Sequence, residues 1–194
     1  SDVYKRQVQA FNAEGIDIYA VTPQNEPLNR GNSASLYMSW EEQRDFVKTA
    51  LGPKFKAAGL ATKIYAYDHN YDYSDIATEK NYPGKMYEDA AASQYLAGAA
   101  YHNYGGNREE LLNIHKAYPE KELLFTETSI GTWNSGRDLS KRLLEDMKEV
   151  ALGTINNWCR GVIVWNLMLD NDRAPNREGG CQTCYGAVDI SNSD

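Results

Sequence analysis

The sequence has little of several features that mark particular classes of protein. Only three of its 194 residues are cysteine and only four are phenylalanine, and Lys and Arg number 20 against 27 Asp and Glu. No run approaches the roughly 18 apolar residues that cross a bilayer. The net charge of −7 disfavours binding to nucleic acid or to an anionic membrane surface. We therefore expect no nucleic-acid partner and no stable membrane insertion.

Two of the three cysteines, Cys181 and Cys184, form a Cys-x-x-Cys pair. One such pair has too few ligands for a structural zinc site, and no βαβ start precedes it, as a redox motif would require. The pair is either a small disulfide that pins a loop or two free thiols. We favour the disulfide and, with it, an extracytoplasmic or secreted location.

Short β-rich runs alternate with helical segments along the chain. We predict strands at 16–21, 63–67, 99–102, 122–126 and 161–165, and helices from the Ser39–Glu42 capping box to the break at Gly52-Pro53 and over 54–58, 86–96, 108–118 and 138–157. The apolar stripe of the last helix is predicted to be core. Strands that alternate with helices favour a parallel sheet with crossover connections, which is an α/β fold.

Side chains that could carry function lie at the C-terminal ends of these strands and not at their starts. The downstream ends carry, in chain order, Glu26, Asp68 with Asn70, His102 with Tyr104, Glu127, and Trp165. That asymmetry is typical of a (β/α) barrel, whose active site lies on the C-terminal face. A Rossmann-like sheet is disfavoured because no glycine-rich phosphate loop follows any strand.

The two glutamates are the most informative of these residues. Glu26 and Glu127 each follow an apolar run, about a hundred residues apart. Glycoside hydrolysis needs one carboxylic acid to protonate the leaving oxygen and a second carboxylate to attack or to activate water. A single glutamate after a strand is more often loop charge, but two in one register favour a catalytic pair. The alternative is a barrel that binds carbohydrate without catalysis, in which both glutamates would be dispensable.

The remaining candidates have two interpretations each. Trp165 is either a stacking floor for the apolar face of a sugar or a core tryptophan, and its position favours the floor. Tyr104 either bonds a carboxylate or is one of many interfacial tyrosines. Asn25 either binds a sugar hydroxyl or orders the turn before Pro27. We predict that these three, together with His102, Asp68 and Asn70, bind substrate.

Four segments together resemble glycoside hydrolase family 30, which contains glucosylceramidases and endo-β-1,6-glucanases. They are 21–27 (VTPQNEP), 67–70 (YDHN), 124–127 (LFTE) and 164–167 (VWNL). The loop at 175–186 is similar to the family's loop after its last strand. The resemblance implies a partial (β/α)8 TIM barrel in which the five predicted strands are the fourth to the eighth. The first three strands and a β-rich side domain would be absent.

The resemblance also implies roles for the site residues. Glu26 would be the acid/base, with Asn25 on the 2-hydroxyl, and Glu127 the nucleophile, with His102 and Tyr104 nearby and Trp165 lining the −1 subsite. Retention of configuration predicts a separation of roughly 5–5.5 Å between the two carboxyl groups. We expect no metal, no cofactor, and a β-linked glucan, a glucoside or a glucosylated lipid as substrate.

The first seven residues read differently from the rest. Residues 1–7 (SDVYKRQ) carry no apolar period, no cap and no signal-peptide pattern. We interpret them as a translated adapter remnant and leave them out of the fold prediction. Residues 8–194 are then predicted to be the C-terminal part of a glycoside hydrolase barrel domain whose native N-terminus is missing.

Overall fold

A five-stranded parallel sheet, curled into part of a barrel, organises the structure. The computed structural model describes residues 1–31, 35–176 and 178–191. The strands of this sheet, in spatial order, are β1 (Ala20–Val21), β2 (Lys63–Asn70), β3 (Leu96–His102), β4 (Glu122–Glu127) and β6 (Cys159–Val162). All four pairings are parallel. The predicted α/β class and partial barrel are confirmed.

Short strands and helices complete the described chain. Two small sheets pair β5 (Ile130–Gly131) with β8 (Cys184–Tyr185) and β7 (Met168–Asp170) with β9 (Val188–Ile190). The helices are α1 (Asp2–Ala13), α2 (Trp40–Phe46), α3 (Gly52–Ala57), α4 (Tyr82–Glu88), α5 (Ala90–Ser93), α6 (Glu109–Ala117), α7 (Leu139–Glu145) and α8 (Leu152–Ile155). No helix among the described residues is long and apolar enough to cross a membrane.

The predicted start of α2 is confirmed, but its predicted end is wrong. The Ser39 side chain accepts from the Glu42 N–H, and the Glu42 side chain accepts from the Ser39 N–H, as in a capping box. The helix does not stop at Gly52-Pro53, because a π-helical turn at Val47–Leu51 links α2 directly to α3. A widened turn of this kind accommodates a proline that would break an ordinary helix.

Residues 2–7 belong to the first helix, so their omission from the fold prediction missed an element. The Tyr4 ring lies 5.9 Å from that of Phe46, its hydroxyl donates to the Pro23 carbonyl, and Val8 is buried. The helix is largely polar and Val8 is its one buried residue, so residues 2–7 show no apolar period. The origin of these residues as an adapter remnant stays a prediction.

Most of the stripe on the last helix is not core. Leu139, Leu143, Met147 and Ile155 are exposed in the structure, whereas Val150 is buried. The helical period was identified correctly, but within the described residues no layer covers that face. The core lies mainly between the sheet and the helices α1 to α6, and of this stripe it includes Val150.

Tyrosine supplies much of that core. Half of the 14 tyrosines are buried, namely Tyr65, Tyr67, Tyr71, Tyr73, Tyr82, Tyr87 and Tyr101. Several of their hydroxyls find partners inside, such as Tyr73, which lies 2.9 Å from the Tyr101 hydroxyl and donates to Glu110 at 2.6 Å. Buried tyrosines with paired hydroxyls are a structural use of the residue, so its abundance is not by itself a sign of a sugar ligand.

Candidate active site

A bulge in β2 shapes the floor of the site. Tyr67 and Asp68 have φ angles of 75° and 74°, and the β2–β3 register shifts between Tyr67 and His69. Left-handed backbone at two consecutive non-glycine residues is costly, and such strain is common at functional sites. The bulge is supported by Gln43, whose buried side chain accepts from the Tyr67 N–H at 2.8 Å. The Asp68 carbonyl, in turn, accepts from the Glu26 N–H at 2.9 Å.

Asp68 connects three strand ends through its carboxylate. Oδ2 accepts from the Thr22 hydroxyl at 2.6 Å, and Oδ1 accepts from the Thr126 hydroxyl at 2.6 Å and lies 2.9 Å from His102 Nε2. Thr22 directly follows β1, Thr126 precedes Glu127 on β4, and His102 is the last residue of β3. Asp68 is buried and does not line the cavity. This place suits a residue that positions its neighbours, and the predicted contact of Asp68 with substrate stays a prediction.

His102 links Asp68 to Glu26. Its Nδ1 lies 3.3 Å from Glu26 Oε1, so both ring nitrogens face carboxylates and the ring is fully buried. Burial lowers the pKa of His102, but the hydrogen bonds to Asp68 and Glu26 outweigh it and bring the pKa to about 9. His102 is therefore a cation at neutral pH, held between two carboxylates. It is absent from the cavity wall, and its predicted contact with substrate stays a prediction.

Glu26 is held in its ionised form. Its Oε2 accepts from Asn29 Nδ2 at 2.8 Å. Burial raises the pKa of Glu26, but the hydrogen bonds from His102 and Asn29 lower it by more, and the net pKa lies below that of an ordinary glutamate. The residue has a φ of 49°, so the backbone turns sharply where the carboxylate is presented.

Glu127, the last residue of β4, faces a different environment. Burial raises the pKa of Glu127; the charge of His102 opposes this shift and the charge of Glu26 adds to it, and the net pKa lies above the ordinary value. The Tyr104 hydroxyl donates to Glu127 Oε1 at 3.1 Å and lies 3.0 Å from Ser129 Oγ. Of the two interpretations of Tyr104, the structure supports the contact with a carboxylate.

The two glutamates converge. A carboxylate oxygen of each and a ring nitrogen of His102 all lie within 4.8 Å of one another. Two carboxylates and a histidine are a donor set that divalent cations use. Here the imidazole is a poor ligand, because it is protonated at neutral pH and both nitrogens already face carboxylates. The chemistry of this cluster fits a stored proton better than a metal.

An open cavity of about 610 Å³ lies over the pair and is large enough for a ligand of several rings. Its wall includes five residues of the predicted site, namely Glu26, Asn70, Tyr104, Glu127 and Trp165. Trp165 lies beyond the end of β6, and its N–H donates to the Thr128 carbonyl at 2.9 Å, which holds it beside Glu127. Tyr104 and Trp165 are partly exposed, at 42% and 39%. Aromatic rings that are partly exposed to solvent suit a ligand with apolar faces and many hydroxyls.

Asn25 is not part of this wall. It is exposed, and its carbonyl accepts from the Ser35 hydroxyl at 2.6 Å. Its contact with a 2-hydroxyl stays a prediction.

Nine residues of the cavity wall were absent from the predicted set, namely Asn29, His69, Ser129, Trp133, Asn166, Pro175, Asn176, Gly179 and Gly180. Asn29 follows Glu26 by three residues, a spacing that allows its side chain to reach back to the carboxylate. His69 is neutral, since burial lowers its pKa to about 4, and Nδ1 has no partner among the described residues. Ser129 and Trp133 belong to the segment after β4, and only their closeness to Glu127 in sequence could have indicated them.

Cys181 and Cys184 form a disulfide, and both line the cavity. The loop that carries them pairs through β8 with β5, so it lies against the segment that follows Glu127. Cys159 is buried, and burial raises the pKa of its thiol to about 12. A thiol of this kind is inert at neutral pH.

Comparison with known proteins agrees with this geometry. The endo-1,6-β-D-glucanase BGN16.3 of Trichoderma harzianum is 36% identical over 97% of this chain and 36% of its own length. The solved structure of the endo-β1,6-glucanase BT3312 superposes with a TM-score of 0.97 at 87% identity, over 98% of this chain and 42% of that one. SrfJ from Salmonella typhimurium superposes at 0.84 and 25% identity, over 98% and 41%.

The chain thus spans about a third of the length of the curated relatives it matches. Residues 2–183 match the glycosyl hydrolase family 30 TIM-barrel domain. The order of motifs, the partial barrel and the family match all agree with the resemblance seen in the sequence. The chain belongs to glycosyl hydrolase family 30.

Proposed function

We propose that this chain supplies both catalytic carboxylates of a retaining hydrolase that cleaves β-glucosidic linkages. The observation that carries the proposal is the approach of Glu26 and Glu127, with oxygens within 4.8 Å of each other over one cavity. Retaining glycosidases hold their carboxyl groups about 5–5.5 Å apart, whereas inverting enzymes leave about 6.5–9.5 Å for a water molecule. The close approach of the two carboxylates supports direct attack by one of them.

The two glutamates then act in turn. Glu127 attacks the anomeric carbon while Glu26 gives a proton to the departing glycosidic oxygen, which forms a glycosyl-enzyme ester and releases the first product. Glu26, now a carboxylate, takes a proton from water as that water attacks the anomeric carbon and frees Glu127. The family resemblance supports this division of roles.

The resting charges require a source for the first proton, since Glu26 has a lowered pKa. His102 provides one, because it is protonated at neutral pH and its Nδ1 lies 3.3 Å from Glu26 Oε1. Asp68 lies on the far side of the ring, 2.9 Å from its Nε2, and fixes its orientation. In the proposed mechanism the Nδ1 proton moves to Oε1 once substrate has displaced water, so the pair His102 and Glu26 shares one proton.

We propose a β-1,6-linked glucan as the substrate. Support comes from two relatives named as β-1,6-glucanases, at 87% and 36% identity. The open shape and size of the cavity are consistent with a chain of sugars and not only with a single glucoside. A glucosylated lipid is the second candidate, from the family resemblance. An extracytoplasmic or secreted location is part of the proposal, supported by the disulfide.

Azide rescue tests the mechanism and the roles together. The protein should be expressed from its complete open reading frame, with the variants Glu127→Ala and Glu26→Ala, and assayed on an activated aryl β-glucoside. Azide attacks the free face left by Glu127→Ala and should give the α-glucosyl azide, whereas in Glu26→Ala it attacks the glycosyl-enzyme and should give the β-azide. The exposed Glu41→Ala variant is the matched control and should give neither.

Two results would contradict the proposal. Full activity in Glu127→Ala would show that the residue is dispensable. Binding of β-1,6-linked oligosaccharides without hydrolysis of any β-glucoside would favour the inactive sugar-binding barrel.

A further inference from the structure

Trp133 is an aromatic wall of the cavity that the two-glutamate mechanism does not use. It follows β5, lines the same cavity as Glu26 and Glu127, and is 52% exposed. An exposed indole in the wall of the cavity that holds both carboxylates offers a flat apolar face to a ligand bound there. Trp165 lines the same cavity, so Trp133 adds a second indole to its wall.

The segment that carries Trp133 is braced from within. The Gly131 N–H donates to Asn134 Oδ1 at 2.9 Å, and Asn134 Nδ2 donates to the Ser129 carbonyl at 3.2 Å. The indole lies against the backbone of Gly131, where an added Cβ would be only 1.9 Å from the ring. Glycine is therefore required at 131 for the ring to hold this position.

A second set of bonds joins this segment to the disulfide loop. Ile130 and Gly131 pair with Tyr185 and Cys184 in an antiparallel ladder, and the Thr132 N–H donates to the Thr183 carbonyl at 3.1 Å. Thr183 lies inside the loop that the Cys181–Cys184 disulfide closes. The ring is thus placed in advance of binding, which lowers the entropy cost of ordering it around a ligand.

We propose that Trp133 is the floor of a second sugar-binding position, next to the one at the two glutamates, which takes a further glucosyl unit of the β-linked chain. The apolar face of a pyranose would lie on the indole, and its hydroxyls would point to the polar wall. This inference rests on the proposed function. It adds a residue that discriminates between a chain and a single glucoside.

The test compares a ligand that reaches Trp133 with one that does not. In the full-length protein made inactive by Glu26→Gln, calorimetry should show that Trp133→Ala raises the Kd for β-1,6-linked glucotriose at least tenfold. Trp133→Phe, which keeps a flat ring, should raise it less than threefold, whereas Trp133→Leu should behave like the alanine variant. Trp158→Ala removes an equally exposed tryptophan outside the cavity and should change nothing.

Activity gives the second readout. In the active enzyme, Trp133→Ala should lower kcat/KM for the glucotriose about 10–100-fold but lower it less than threefold for a dinitrophenyl β-glucoside, whose one sugar occupies the position at the glutamates. Equal losses of kcat/KM on both substrates, or a Kd that does not change in the Trp133 variants, would overturn the inference. Hydrolysis of either substrate would still uphold the proposed function. Binding that depends on Trp133 in a protein that hydrolyses nothing would uphold the inference and refute the catalytic proposal.

Discussion

Replacing Asp68 by asparagine tests how the buried histidine controls the acid. Asp68 lies behind the cavity wall, so any effect on activity passes through its neighbours. The two carboxylates beside His102 raise its pKa from 6.5 to about 9, which corresponds to about 3 kcal/mol in favour of the charged ring. Asp68 makes the closer of the two contacts, at 2.9 Å against 3.3 Å. We expect the contact with Asp68 to raise the pKa of His102 by at least one pH unit, which corresponds to about 1.4 kcal/mol.

The assay is the pH profile of kcat/KM on an activated aryl β-glucoside, which reports ionisations of the free enzyme. The alkaline limb of the native enzyme should lie near pH 9, where the pair His102 and Glu26 loses its shared proton. In Asp68→Asn this limb should move to lower pH by at least one unit. Thr22→Val is the matched control, because it removes a bond to the same carboxylate and keeps the charge. If Asp68→Asn lowered kcat/KM equally at every pH and left the alkaline limb in place, His102 would not store the proton and Asp68 would have a purely structural role.

Gln43→Met should lower the free energy of unfolding in urea by about 1–3 kcal/mol, because the buried Tyr67 N–H loses its acceptor. An unchanged free energy of unfolding would show that the bulge in β2 does not need this support. The free energy of unfolding should fall by about 2 kcal/mol between pH 7 and pH 9. The raised pKa of His102 stabilises the fold fully below pH 6.5, and this stabilisation is lost as pH rises through about 9. His102→Gln should abolish this dependence on pH, and a dependence that persists would contradict the ion pair. Treatment with EDTA should leave kcat/KM within twofold of the untreated enzyme, because protonated His102 is a poor metal ligand. A loss of activity that zinc restores would show that the cluster of Glu26, His102 and Glu127 holds a metal.

The features that the sequence predicted best depend on local periodicity and on the polarity of parallel strands. Alternating strands and helices gave the parallel sheet, and side chains after the strands gave the edge at which Glu26 and Glu127 meet. The Ser39–Glu42 box gave the start of α2, since a cap depends only on neighbouring residues.

The features that it missed depend on contacts between distant segments. Asp68 and His102 occupy strand ends, as substrate ligands do, and only the bulge in β2 shows that they face each other behind the wall. The apolar stripe that carries Leu139 and Leu143 looks like core, because periodicity identifies an apolar face and not what covers it. Trp133 owes its place to the pairing of β5 with β8, across more than fifty residues of chain.

The most direct test of the central claim is to trap the glycosyl-enzyme. A 2-deoxy-2-fluoro-β-glucoside with an activated leaving group slows both steps and lets the ester accumulate, and peptide mass spectrometry then locates it. The proposed mechanism predicts a label on Glu127 and its absence from Glu26, although Glu26 is the glutamate with the lower resting pKa. A label on Glu26, or full turnover with no labelled peptide, would contradict it.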